Sequence, residues 1–316
     1  MSPVRPVFCR PRLCCLYSAA PDTADPYPDF FAVFVLWALI FTENAANIPG
    51  QTGGRKLKSV RSMTLKELLK IGLVIADDME YADLETLMGN RLEPENFFTR
   101  RGHRFCLRRE NRCIEIHAIL CGIGTVNAAA AAMHLVDSGV DILLNYGLSG
   151  GISGVCRGED VVGLSYMEYD FDLISCGYQK CEKPAQTYIY KADSRLVDLL
   201  LNTGSGKKTG NMASGDRFVS DPALRDTLRD AFSVHCCDME TSSIAYVAEL
   251  AGLPFAALRR VSDDAGEDAT ADYREMNLSS QSSLPQELLL AVEALFDADD
   301  FWQCGERPIT GLGRPE

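Results

Sequence analysis

The chain predicts a layered α/β domain with a mainly parallel sheet, and three observations lead there. From residue 69 onward, short apolar runs alternate with stretches of helical periodicity. Pro254-Phe-Ala-Ala-Leu-Arg-Arg-Val261 is short, apolar and bounded by Gly252-Leu-Pro254 and Ser262-Asp-Asp-Ala-Gly266, the pattern of a buried parallel strand leading to a turn. An Ala-rich stretch over residues 125–138 follows a Gly-x-Gly turn and stops at Gly139, as a helix laid on a sheet would.

The remaining elements follow in order. Residues 71–76 are a buried strand, residues 81–88 a short helix, and residues 104–107 and 113–120 a β-hairpin. A strand over residues 141–146 follows the Ala-rich helix, and further elements fall at residues 160–164, 195–201, 224–231 and 286–296. A helix begins near Glu240 and runs through Ile244, Val247 and Leu250 to Gly252. There is no internal repeat.

Two glycine-rich segments, Cys121-Gly-Ile-Gly124 and Gly147-Leu-Ser-Gly-Gly151, read as turns after strands where backbone amides can approach a ligand. Neither completes a dinucleotide fingerprint or a P-loop, so no NAD or ATP site is expected.

With 316 residues, 47% hydrophobic and 24% charged, the chain has ordinary globular composition for one large or two small domains. The net charge of -13 argues against a nucleic-acid partner. The basic runs 55–61 and 100–112 read as a solvated linker and a solvated hairpin face, which leaves a small molecule as the expected ligand. The 12 cysteines are scattered without a C-x-x-C, and the pairs Cys14-Cys15 and Cys236-Cys237 lack zinc-site spacing. No metal is expected. Cys113, Cys121, Cys236 and Cys237 read as small buried hydrophobes in a reducing, cytoplasmic setting.

The first sixty or so residues differ from the rest. Residues 1–28 are rich in Pro, Arg and Cys, and residues 30–41 form an apolar run too short to cross a bilayer. Three readings compete: a signal-peptide core ending near Ala45-Ala46, a weak membrane anchor, and an upstream stretch outside the functional protein with the natural start at Met63. Asp22, Asp25 and Asp29 count against the first, and the third is favoured. The Gly-, Lys- and Arg-rich residues 50–62 would be the boundary, dividing the chain into an atypical extension (1–62), the α/β domain (63–300) and a tail (301–316).

Chemistry points to the acids at element ends. Glu240 stands at a helix start, and Asp263 follows a buried strand, where ligands bind in open α/β sheets. Each also has an ordinary explanation, since acids complement helix N-termini and Asp is common in turns. In Asp77-Asp-Met-Glu80, capping accounts for Asp77 or Asp78 and leaves Glu80 over.

Six segments carry a family resemblance: residues 71–81, Cys121-Gly-Ile-Gly124, Asn145-Tyr-Gly-Leu-Ser-Gly-Gly151, Ser214-Gly-Asp-Arg-Phe218, Asp238-Met-Glu240 and Arg259-Arg-Val-Ser-Asp263. Their order and spacing are similar to those of the methylthioadenosine/S-adenosylhomocysteine nucleosidases, over roughly residues 69–296. The resemblance implies a nucleoside phosphorylase-like fold: a single three-layer α/β domain around a twisted, mainly parallel central sheet. It also implies a cofactor-free enzyme that acts on an adenine nucleoside and forms a homodimer.

Residue by residue, the resemblance makes Asp263 the acid that protonates the purine, oriented by Ser262 and Arg259. Glu80 resembles the water-activating carboxylate, and Glu240 the one that binds the ribose hydroxyls, with Met239 packed on the sugar. Phe218 matches the aromatic that stacks on adenine, Val219 the backbone that reads its edge, and Ala76, Gly150 and Asp238 further substrate contacts. Cleaving an N-glycosidic bond needs such an acid, such a base and stabilisation of the cationic sugar.

The chain departs from the family pattern at several places. Cys121 stands where Ser is usual, Leu148 where a hydroxyl would lie near the ribose and water, Tyr169-Asp-Phe-Asp172 where His-Asp-Ala-Asp is common, and Cys176 where a Phe covers a neighbour's 5′ pocket. The 5′ substituent therefore stays open. So do a phosphate-dependent phosphorylase, for which Arg217 is a candidate contact, and an inert nucleoside binder.

Overall fold

The computed structural model describes residues 67–204, 206–278 and 283–303. The expectations for residues 1–62 and the proposed start at Met63 lie outside the described residues.

A 10-stranded sheet organises the domain. Its strands are β1 (Leu68–Ile75), β2 (Glu93–Phe97), β3 (Arg100–Arg109), β4 (Arg112–Leu120), β5 (Ile142–Gly151), β6 (Asp160–Glu168), β7 (Ile189–Lys191), β8 (Lys208–Ser214), β9 (Cys236–Asp238) and β10 (Phe255–Asp263). The helices are α1 (Asp78–Met88), α2 (Thr125–Asp137), α3 (Ser194–Asn202), α4 (Pro222–Phe232), α5 (Thr241–Ala251), α6 (Ala269–Leu278), α7 (Ser283–Ala294) and α8 (Asp299–Trp302).

The apolar runs build a three-layer packing because successive strand side chains face opposite ways. Leu69, Ile71, Leu73 and Ile75 of β1 enter one core with residues of α1, α3, α7 and α8. Val74 enters the other, with Ala128, Ala131, Ala132 and Leu135 of α2 and Ile244, Val247 and Ala248 of α5. Each buried aliphatic side chain contributes about 1.5–3 kcal/mol through water exclusion. The runs are continuous because both faces of the strand are covered.

The sheet is mainly parallel, as expected, with antiparallel pairings at the hairpin edge and around the ring. The pairings β1–β4, β1–β5, β5–β10, β6–β8 and β8–β9 are parallel. The pairings β2–β3, β3–β4, β5–β9, β6–β7 and β6–β10 are antiparallel. The pairings β5–β10–β6–β8–β9–β5 also close into a ring.

Four expectations are corrected. Gly147-Leu-Ser-Gly-Gly151 is no turn but the second half of β5, because β10 pairs with it as far as Gly150 and β9 holds Gly150 and Gly151. Phe301 and Trp302, placed in the tail, are buried, and the Trp302 indole donates to the Leu295 carbonyl at 2.7 Å. Cys113 is partly exposed, whereas Cys121, Cys236 and Cys237 are buried as expected. The basic hairpin face is more than solvated: Arg101 pairs with Asp78 and Glu85, Arg104 with Glu93, Arg109 with Asp297 and Arg112 with Asp299.

Candidate active site

The site begins with a split in the sheet. The first four residues of β5, Ile142 to Asn145, pair with β1, but β9 joins that edge only at Gly150. Between them the strand has no neighbour on that side, and its buried polar groups need other partners. Side chains supply them. The Leu148 N–H donates to Glu80 Oε1 at 2.7 Å, and Arg259 Nη1 donates to the Leu148 carbonyl at 3.1 Å, while at the β1 end of the split the Asn145 amide donates to the Val74 carbonyl at 2.8 Å. The topology thus draws a carboxylate and a guanidinium into the interior.

Glu80 lies in the first turn of α1. Asp77 is the N-cap and accepts from the Met79 N–H at 2.8 Å, while the Asp77 N–H donates to Glu80 Oε2 at 3.4 Å. Glu80 therefore has a capping role as well as a position in the site. Burial pushes its carboxyl up to about 8, against the opposing effects of Arg259 and the Leu148 amide. Leu148, singled out as a departure, provides that amide and a buried apolar wall.

At the start of α5 the capping is done by Asp238. Its Oδ1 accepts from the Glu240 and Thr241 N–H groups, each at 2.9 Å, and from the Ser214 hydroxyl at 2.7 Å; its Oδ2 accepts from the Thr241 hydroxyl at 2.5 Å. Asp238 lines the cavity, but its carboxylate is committed to these groups. Glu240 is released from capping and accepts from the Gly124 N–H at 3.0 Å. That amide points inward because Gly124, at φ 107°, adopts a backbone conformation that L side chains rarely tolerate. Burial raises the Glu240 carboxyl above its ordinary value, opposed by Arg259.

Arg259 does not orient Asp263, contrary to expectation. Its Nε lies 3.4 Å from Asp238 Oδ2, and its Nη2 lies 3.4 Å from Glu240 Oε2 and donates to Thr241 Oγ1 at 2.7 Å. Four residues of strand separate the two backbone positions by about 13 Å, which directs the guanidinium to the other end of the site. Burial works against its charge, but Asp238, Glu240 and Glu80 outweigh it and hold the group protonated.

Asp263, the last residue of β10, is oriented by Ser262, whose hydroxyl donates at 2.6 Å, and by the Ala265 N–H at 2.9 Å. Burial raises its carboxyl above the ordinary value, against these two hydrogen bonds. A bulge between Val261 and Asp263 sets the direction of this strand end.

These groups share one cavity of about 250 Å³. Every candidate lines it: Ala76, Glu80, Gly150, Phe218, Val219, Asp238, Met239, Glu240, Arg259, Ser262 and Asp263. Phe218 stands on the loop between β8 and α4, which is fixed where Asp216 accepts from the Thr125 N–H and hydroxyl, both at 2.7 Å. Its ring meets Tyr273 edge to face, with centroids 5.6 Å apart. Tyr273 of α6 was missed, because its segment lacks apolar periodicity and Ala269 is its one buried residue. Among the described residues no His, Cys, Asp and Glu cluster is arranged to hold a metal.

Fold and site together define an α/β protein with a carboxylate-lined small-molecule cavity at strand ends. The family model described as phosphorylase superfamily matches residues 70–294. A 5′-methylthioadenosine/S-adenosylhomocysteine nucleosidase of Maridesulfovibrio salexigens is 30% identical over 237 residues, covering 71% of this chain and 98% of its own. The nucleosidase of the same name from Halalkalibacterium halodurans is 32% identical over 185 residues, covering 56% and 80%. The structure of the S. pneumoniae nucleosidase with a transition-state inhibitor superposes with a TM-score of 0.65 at 26% identity, covering 72% of this chain and 100% of that one. The chain belongs to the 5′-methylthioadenosine/S-adenosylhomocysteine nucleosidase family of the phosphorylase superfamily.

Proposed function

We propose that this protein hydrolyses the N-glycosidic bond of a 5′-substituted adenosine and releases adenine. The observation that carries this is the placement of Glu80, Glu240 and Asp263, all buried, around one cavity. Asp263, with its raised pKa, protonates the departing purine at N7. Glu240 binds the ribose hydroxyls and steadies the positive charge on the sugar. Glu80, once ionised, takes a proton from the attacking water, whose oxygen forms the new bond to the sugar carbon as the bond to adenine breaks. Phe218 stacks on the base, Val219 presents backbone to its edge and Met239 packs on the sugar. Methylthioadenosine and S-adenosylhomocysteine are the substrates to test first.

Water is favoured over phosphate because the cations lining the cavity are poorly placed to clamp an anion. Arg259 is engaged by Asp238 and Glu240, and Arg217 is mostly exposed, 3.8 Å from Asp221.

The proposal includes a homodimer in the cytoplasm. Val126 and Met133, exposed on α2 with Ile123 before it, continue toward Phe98, whose ring centroid lies 6.4 Å from that of His134. This apolar strip borders the cavity through Ile123 and suits a second copy. The 12 scattered cysteines, with no C-x-x-C, fit a reducing compartment.

Adenine release from both nucleosides, without phosphate, tests the proposal. The intact chain should release adenine, and Asp263→Asn and Glu80→Gln should each lower kcat by about 10²–10⁴-fold. Release that requires phosphate would replace it by a phosphorylase; binding without release would replace it by an inert binder.

A further inference from the structure

Helix α6 carries Tyr273 into the cavity wall, yet little burial anchors it. Of its ten residues, Ala269 alone is buried. A helix of that length is marginal by itself, so its position depends on its side contacts.

Polar clamps hold it on two faces. Asp272 and Glu275, three residues apart, share one face. Both bind Arg157: Nη1 donates to Asp272 Oδ1 at 3.1 Å, and Nη2 donates to Glu275 Oε2 at 2.9 Å and to the Asp272 carbonyl at 3.3 Å. Tyr273 and Asn277, four residues apart, share the neighbouring face, where the Asn277 amide donates to Asp77 Oδ1 at 3.3 Å.

Arg157 sits in the turn between β5 and β6, which is fastened to β10. The Gly158 N–H donates to the Val261 carbonyl at 2.8 Å, and the Val261 N–H donates to the Glu159 carbonyl at 2.9 Å. The guanidinium therefore ties α6 to the strand that ends in Asp263.

We propose that Arg157 is a positioning residue for substrate binding: it holds α6, and through it Tyr273, against the cavity. Arg157 itself does not line the cavity, so it acts through the helix. The substrate used to test this rests on the nucleosidase function proposed above. The Arg157 and Glu275 side chains are 37% and 74% exposed, so salt screens the tie.

The test uses the full chain, Arg157→Ala, Arg157→Lys, and the double variant Asp272→Asn/Glu275→Gln, which removes the two charges from the helix side. KM and kcat for adenine release from methylthioadenosine are measured at low and high NaCl. Arg157→Ala should raise KM about five-fold with kcat within about two-fold. The Lys variant should recover part of the loss. KM of the intact chain should rise with salt and that of Arg157→Ala should not, and adding Arg157→Ala to the double variant should raise KM by less than it does in the intact chain. Unchanged KM, or equal salt dependence in both proteins, would overturn the proposal. If the intact chain releases no adenine, the nucleosidase function has failed on its own; calorimetric Kd values for methylthioadenosine then decide the role of Arg157. Weaker binding in Arg157→Ala supports it, and equal binding or none in either protein overturns it.

Discussion

The Glu80 carboxylate and the Arg259 guanidinium converge over Gly147: a Cβ on that glycine would lie 2.8 Å from Glu80 Oε1 and 2.5 Å from Arg259 Nη1. Glycine is required there by close approach, since any side chain would push apart the groups that hold the Leu148 N–H and carbonyl. Gly147→Ala should lower kcat for adenine release by about 100-fold through misplacement of Glu80. It should also destabilise the fold by about 1–3 kcal/mol. Wild-type kinetics in that variant would mean that the position of Glu80 does not matter for turnover.

Glu80 makes stability depend on pH with a definite sign. Its folded pKa of about 8 exceeds the ordinary 4.5, so between those values the folded chain keeps a proton that the unfolded chain has released. Its contribution is therefore fully present below the unfolded pKa and is lost as pH rises through the folded one. Denaturant midpoints should fall from about pH 5 to about pH 8 more steeply in the intact chain than in Glu80→Gln. Parallel pH profiles would put the Glu80 pKa back in the ordinary range.

The same ionisation should appear in the kinetics. If Glu80 activates water, kcat/KM for adenine release should climb toward pH 8. A flat profile from about pH 5 upward would remove Glu80 from that role.

Arg259 is the buried counter-charge to Asp238 and Glu240. Arg259→Met leaves both carboxylates without it and should cost about 3–5 kcal/mol of stability, read from urea unfolding. A loss below about 1 kcal/mol would mean that the site tolerates the loss of this counter-charge.

Phe218, partly exposed at the cavity, tests the stacking assignment. Phe218→Ala should raise KM for methylthioadenosine roughly 10–100-fold, the usual effect of losing an aromatic partner for a base. An unchanged KM would reduce Phe218 to packing against Tyr273.

The sequence by itself determined the layered architecture and most of its elements, because apolar period and chain breaks are local properties. The strand at residues 71–76, the Ala-rich helix and the hairpin all stand close to where their patterns put them. Short strands such as Ile189–Lys191 and Cys236–Asp238 were not legible, since three residues carry no period. The candidate site residues were legible through a family pattern, and the fold gathers them around one cavity.

What only the tertiary structure decided was which groups each candidate meets. Arg259 and Asp263 are neighbours in sequence, but strand geometry sends one to Asp238 and Glu240 and the other to Ser262 and Ala265. Asp238 takes the capping bonds that local rules would assign to Glu240, and Tyr273 reaches the cavity from a helix with no apolar stripe. The physical reason is the split beside β5: its unpaired backbone groups must find partners, and those partners come from residues distant in sequence.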